Sequence, residues 1–265
     1  MRIFILIALV SCLATAQDST VVMFLGDSYT EYDFGGGYKP HIFHHLDSLG
    51  YLIRYAGRDS MNGASMYFNG ADDSGFLPSN WNWPRTQMWH EGVASKQAYH
   101  YATGTGSTSP GTVADAVNAN LPDVLCIQIG LNDISNGSFS TTTIRNNIDT
   151  MLTQAWSVDP TMRIILWNVA LTKNLSWYDS INALNPKIAT LITTKQQAGY
   201  FVLPFDADAA TDSTDFDGSS HPSASYGATK WSGGNRVLGI ALAPIIATAI
   251  DSVLGRSRYL FIRRN

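Results

Sequence analysis

Apolar and polar positions fall in alternating blocks along most of this 265-residue chain. Val21-Val22-Met23-Phe24-Leu25 is an unbroken apolar run led by β-branched residues, the pattern of a strand buried on both faces of a parallel sheet. Gly26 ends it. Leu52–Ala56, Asp123–Ile129, Arg163–Val169 and Tyr200–Leu203 have the same character. Stretches of helical period separate them: Tyr38–Leu49 closed by Gly50, a helix opened by Pro110 and running to about Asn120, Thr141–Trp156, and Ser176–Gln197 stopped by Gly199. A last long helix carries Ile240–Leu254, with Gly233-Gly234 breaking it from a turn of helix before it.

Strands alternating with helices predict an α/β domain, a parallel sheet with helices on both faces. No internal repeat or linker divides it. From Arg58 to about Gly106 no period is sustained. That stretch is rich in Gly, Asn, Asp, Ser and aromatic residues and is too long for a plain connector, which marks it as functional. The tail, 256–265, contains Tyr259-Leu260-Phe261-Ile262 and suits either an added edge strand or disorder.

The chain opens differently. Met1-Arg2, a mostly apolar Ile3–Leu13 and Ala14-Thr15-Ala16 match a secretory leader with its small-residue cleavage site. Residues 1–16 are thus expected to be a signal peptide and 17–265 a single domain, secreted, extracellular and soluble. The leader is too short to span a bilayer, and no later stretch is expected to reach that length. The remaining chain, roughly 250 residues, suffices for one sizeable core. Of the two cysteines, Cys12 leaves with the leader and Cys126 lies within an apolar strand. No internal disulfide is then expected, and a buried thiol makes a poor nucleophile.

Charge narrows the partners. Only 14% of residues are charged, against the usual quarter, and the net charge is −4. Basic residues cluster only in the tail at Arg256, Arg258, Arg263 and Arg264, which argues against nucleic acid and for an uncharged substrate. Asn136-Gly137-Ser138 and Asn174-Leu175-Ser176 are glycosylation sequons if the host is eukaryotic.

Three signals stand at strand exits or before the last helix, in the order Ser28, Asn132, His221. Each suits acyl transfer. A serine hydroxyl becomes a nucleophile when a base takes its proton, histidine is the usual base, and an Asn amide with backbone N–H groups can hold an oxyanion. Asp27 and Asp133 are better suited to fixing turns than to acid chemistry. His41, His44 and His45 share one helix, and His41 with His45 has the spacing of a metal pair. With no third ligand patterned beside them, they are expected to form an exposed polar face. His90 and His100 are expected to be structural. Tyr67, Phe68, Phe76, Trp81, Trp83 and Trp89 either stack on sugar rings, with Trp81 and Trp83 foremost, or fill a small core of the long loop.

Gly26-Asp27-Ser28-Tyr29-Thr30, Gly130-Leu131-Asn132-Asp133 and Asp217-Gly218-Ser219-Ser220-His221-Pro222 resemble the first, third and fifth blocks of the SGNH, or GDSL, hydrolases. Within that superfamily, Gly36-Gly37-Tyr38, Tyr55-Ala56-Gly57, His90-Glu91-Gly92 and Leu121-Pro122-Asp123-Val124 are similar in spacing to carbohydrate esterase family 3, which contains acetylxylan esterases. The resemblance implies a flavodoxin-like α/β/α sandwich with five parallel strands ordered 2-1-3-4-5. It also implies ester hydrolysis by a Ser-His-Asp triad, no metal or organic cofactor, and an acetylated polysaccharide as substrate for a monomeric enzyme. By position, Ser28 is nucleophile and backbone oxyanion donor, Asn132 the side-chain donor and His221 the base.

Two departures remain. The family places its Asp three residues before the His, where this chain has Gly218; Asp217 is the nearest carboxylate and Asp215 a second candidate. The glycine of the second block aligns with Ser95 from one side and with Gly57 from the other. Two other readings stay open: a lipase or general carboxylesterase, and a catalytically silent carbohydrate-binding protein.

Overall fold

The computed structural model describes residues 19–31, 38–60, 89–106, 111–137, 139–212, 215–217, 221–222 and 234–255. The expectations for the leader, for Trp81 and Trp83 with the other loop aromatics save Trp89, for Pro110 and for the tail lie outside the described residues.

The first strand, β1 (Thr20–Gly26), is buried along its whole length. Its edges carry β2 (Ile53–Ala56) and β4 (Trp89–Gly92) on one side and β5 (Val124–Gln128) on the other, all parallel to it. Beyond β5 follow β6 (Arg163–Trp167) and β7 (Val202–Phe205), both parallel. A two-residue β3 (Asp59–Ser60) runs antiparallel to β4 at the outer edge. The main strands thus follow β2-β1-β5-β6-β7, the expected order 2-1-3-4-5, with β3 and β4 added. β2 and β4 share one edge: β2 pairs with Thr20–Met23, and β4 takes over at Leu25–Gly26.

Nine α-helices are described, besides a short 3-10 turn at Leu175–Trp177. A single turn, α1 (Ser28–Glu31), follows β1 directly, and α2 (Lys39–Ser48) leads to β2. Then come α3 (Ala98–Thr103), α4 (Val113–Asn120), α5 (Leu131–Ser135), α6 (Thr141–Val158), α7 (Tyr178–Gln197), α8 (Ala207–Ala210) and α9 (Gly234–Val253). The caps are local chemistry. Thr112 accepts the Asp115 N–H at 3.2 Å while Asp115 accepts the Thr112 N–H at 2.7 Å, so α4 starts at Val113 rather than near Pro110. Ser140 caps α6 by accepting from Thr143 N–H at 3.1 Å.

Further expectations need correcting. The stretch 58–106 contains β3, β4 and α3, which its composition hid. β7 lies two residues beyond the expected strand because it continues through Pro204, which an edge strand tolerates. The turn of helix expected before the Gly233-Gly234 break lies outside the described residues, and α9 begins at Gly234, at that break. At 20 residues and a mean hydropathy of 1.6 it is long and apolar enough to cross a membrane, against expectation; half of that window is buried, with the helix against α2 and β6. His41 is wholly buried rather than exposed, because α9 comes so close that a Cβ on Gly239 would lie 2.6 Å from the His41 Cβ. His44 and His45 are half-buried.

Candidate functional site

The register of three neighbouring strands aligns their carboxyl ends in one row: Gly92 of β4 opposite Gly26 of β1, and Gly26 opposite Gln128 of β5. Ligands collect outside such ends in open α/β sheets. Ser28 follows Gly26 by two residues, Ser95 follows Gly92 by three, and Asn132 follows Gln128 by four. The chain therefore delivers all three to one rim. Gly57 leaves from lower down, since its neighbour Ala56 pairs with Met23. Its lack of a side chain has a separate cause: a Cβ there would lie 2.2 Å from His90 backbone atoms.

Ser28 is half-buried at the head of α1. Asp27 caps that turn: its carbonyl accepts from Thr30 and Glu31 N–H at 3.0 Å each, and its carboxylate from Tyr29 N–H at 3.0 Å. The far end of the turn is gripped from below. The buried Lys39 ammonium donates to the Thr30 carbonyl, the Tyr38 hydroxyl lies 3.1 Å from Thr30 Oγ1, and Gly92 passes so close that a Cβ would meet Glu31 N at 2.5 Å. The Tyr101 hydroxyl lies 2.7 Å from the Gly26 carbonyl and 2.6 Å from that of Glu91, joining β1 and β4 to α3. Glu91 is buried and held by Arg58, with a 2.9 Å ion pair, and by the Asn120 amide at 2.9 Å. Sequence reasoning missed Lys39, because a lysine is ordinarily a surface residue; its only signal was its place directly after Gly36-Gly37-Tyr38.

The loop after β4 meets the turn after β5. The Asn132 side-chain amide donates to the Lys96 carbonyl at 3.1 Å, and Gln97 Nε2 donates to the Asn132 carbonyl at 3.2 Å. Asp133 accepts the Ala98 N–H at 2.9 Å, as a turn-fixing carboxylate should. Ser95 is exposed and adopts φ +62°, the left-handed region that favours glycine. An L-residue there is strained by roughly 1–2 kcal/mol, partly offset by the chain entropy a glycine would lose. Ser95→Gly is expected to raise stability by about 0.5–1 kcal/mol. Thermal unfolding checks this: an unchanged or lower Tm would count against the strain.

Burial sets the electrostatics. Desolvation raises Asp27 from 3.8 to about 7 and Asp133 to about 6, with Asp133 adding to the rise at Asp27. The native state thus binds more protons than the unfolded chain between about pH 4 and pH 7, so this contribution is full below pH 4 and is lost as pH rises through 7. Asp27→Asn removes that dependence. Relative to the parent, the variant is expected to gain up to about 4 kcal/mol between pH 4 and pH 8, at 1.36 kcal/mol per unit. Urea titrations across that range measure it; parallel curves would refute it. His90 is structural: burial, then the Lys39 charge, lower it to about 2, and its neutral ring accepts the Gly92 N–H at 3.0 Å. Burial likewise raises the Cys126 thiol and keeps it protonated. The loop aromatic Trp89 is exposed at the start of β4.

The last element brings the remaining candidates. β8 (Phe216–Asp217) and β9 (His221–Pro222) form an antiparallel pair in which Asp217 stands opposite His221. Phe216 is buried against Tyr29, with ring centroids 6.5 Å apart, and Tyr29 immediately follows Ser28. Asp215 is engaged elsewhere: its carboxylate accepts the Asp212 N–H at 2.9 Å, and its carbonyl lies against Gly234 at the head of α9. Beside this junction Tyr29, Gln128, Leu131, Trp167 and Val169 line a narrow cleft with space for one small group. Among the described residues no group of three His, Cys, Asp or Glu is placed to hold a metal ion.

No family model matches the chain, and no curated protein matches it in sequence. Solved structures do. A carbohydrate esterase family 3 protein from Talaromyces cellulolyticus is 22% identical over 88% of this chain and 99% of its own, with a TM-score of 0.68. A family 3 carbohydrate esterase from Clostridium thermocellum is 18% identical over 89% and 100%, with a TM-score of 0.65. Est24, a carbohydrate acetylesterase from Sinorhizobium meliloti, is 16% identical over 87% and 99%, with a TM-score of 0.57. The fold is that of the SGNH hydrolases.

Proposed function

We propose that this chain is a secreted serine esterase that removes O-acetyl groups from plant polysaccharide, with acetylated xylan as its substrate. The observation that carries this reading is the junction at Tyr29. Phe216 rests on the residue after Ser28, and the strand pair that Phe216 begins sets Asp217 opposite His221. Neighbours across an antiparallel ladder are interaction partners. Asp217 then orients the imidazole, His221 takes the Ser28 proton, and the Ser28 oxygen attacks the acetyl carbonyl. The Ser28 backbone N–H, the Asn132 amide and the Ser95 backbone N–H hold the oxyanion. The Lys96 carbonyl fixes the Asn132 amide in orientation, which leaves its second N–H to point at the developing charge. Return of the proton from His221 to the sugar oxygen frees the deacetylated chain, and water repeats the sequence on the acyl-enzyme.

The alignment of Ser95 with the second-block glycine is supported by its left-handed backbone and by its place at the rim, neither of which Gly57 has. Trp81 and Trp83 are proposed to stack on the sugar chain. The deciding experiment measures acetate released from acetylated xylan beside acetylated pectin, acetylated chitin and a long-chain lipid ester. Release is expected from xylan at least tenfold faster than from the lipid ester. Preference for the lipid ester would establish the lipase, and no turnover of any ester would establish a silent binder.

A further inference from the structure

Lys96 follows Ser95 in the loop whose carbonyl orients Asn132, yet its side chain plays no part in those contacts. The residue is only 4% exposed, and among the described residues no carboxylate or other acceptor pairs with its ammonium. His100 stands beside it. His100 Nδ1 accepts the Gln97 N–H at 3.0 Å, so the neutral ring carries its proton on Nε2, a donor with no acceptor among the described residues. Both donors converge on the open face of Gly106: a Cβ there would lie 2.9 Å from Lys96 Nζ and 3.9 Å from His100 Nε2. Gly106, at φ +119°, puts no side chain of its own between the two donors.

A buried aliphatic stem whose ammonium has no acceptor among the described residues, beside an imidazole N–H at a glycine with no side chain to shield either, suits one acceptor group of negative charge. We propose that Lys96 and His100 form a carboxylate subsite at the rim of the catalytic cleft, which receives the uronic-acid branch of an acidic polysaccharide. Its place one residue from Ser95 puts it within reach of a sugar chain whose acetyl group lies at Ser28. The net charge of −4 offers no long-range pull on an acidic ligand, so the preference is local to this pair. The inference rests on the esterase reading only for the carbohydrate nature of the ligand.

Binding tests it without turnover. In Ser28→Ala protein, calorimetry compares a neutral xylo-oligosaccharide with one of equal length bearing a single glucuronic acid. The acidic ligand is expected to bind about tenfold tighter, as for one charge-assisted contact partly screened by solvent. The preference is expected to vanish in Lys96→Gln, persist in Lys96→Arg and shrink with added salt. Sodium acetate is the control for a free carboxylate: competition at millimolar acetate assigns the pair to carboxylates in general and overturns the uronic-acid assignment. Equal affinity for the two oligosaccharides, or a preference that survives Lys96→Gln, overturns the subsite. Failure of the parent protein, carrying Ser28, to hydrolyse 4-nitrophenyl acetate would instead strike the esterase reading and leave the binding preference supported on its own.

Discussion

Ser28→Ala is expected to abolish hydrolysis of 4-nitrophenyl acetate, lowering kcat by at least about 10⁴-fold. The hydroxyl is the only atom lost, and the turn that carries it is fixed independently by the Asp27 cap, the Lys39 contact to Thr30 and the close pass of Gly92. The variant should therefore fold with an unchanged Tm, which separates chemistry from stability. His221→Ala should cost a comparable factor, and the double variant should be no slower than either alone, because a nucleophile and its base act as one unit. Stopped assays at high enzyme concentration measure the residual rate. A Ser28→Ala rate within tenfold of the parent would remove the serine from the reaction.

The second large effect separates two carboxylates that are two residues apart. Asp217→Ala is expected to lower kcat by about 10³–10⁴-fold, since an imidazole without its carboxylate adopts the wrong tautomer. Asp215→Ala should stay within about fivefold, because that side chain serves the Asp212 N–H, a bond worth about 1 kcal/mol. A structural role for Asp217 would lower Tm and activity together. An orienting role lowers kcat while KM and Tm stay near those of the parent, and Asp217→Asn should share the loss. The opposite ranking of the two alanine variants would transfer the triad to Asp215.

Most of the sheet was legible because its strands are long apolar runs, and the run from Val124 to Gln128 is buried at every position. The order of the strands was not in the pattern; it came with the resemblance. β4 escaped because Trp-His-Glu-Gly has neither period nor apolar character; tertiary contacts create it, namely pairing with β1, the Arg58 bond to Glu91 and the Tyr101 hydroxyl. The same blindness hid the burial of His41 and Lys39. A polar residue on a helix reads as solvent-facing until another element closes over it: for His41 that is α9 at Gly239, far along the chain, and for Lys39 the turn at Thr30. The candidate site was legible in its residue types and only half in its register. Ser28, Asn132 and His221 stood out as candidates at the ends of elements, whereas the preference for Ser95 over Gly57 as a proposed donor depends on how far up β1 each partner strand pairs.

The outermost strands bear on how this molecule behaves at high concentration. Among the described residues, the sheet ends on one flank in the four residues of β2 and the two of β3, and on the other in β7, where Pro204 offers no N–H to an incoming chain. A second copy sliding alongside would find a ladder too brief to climb on the first side and a missing rung on the second.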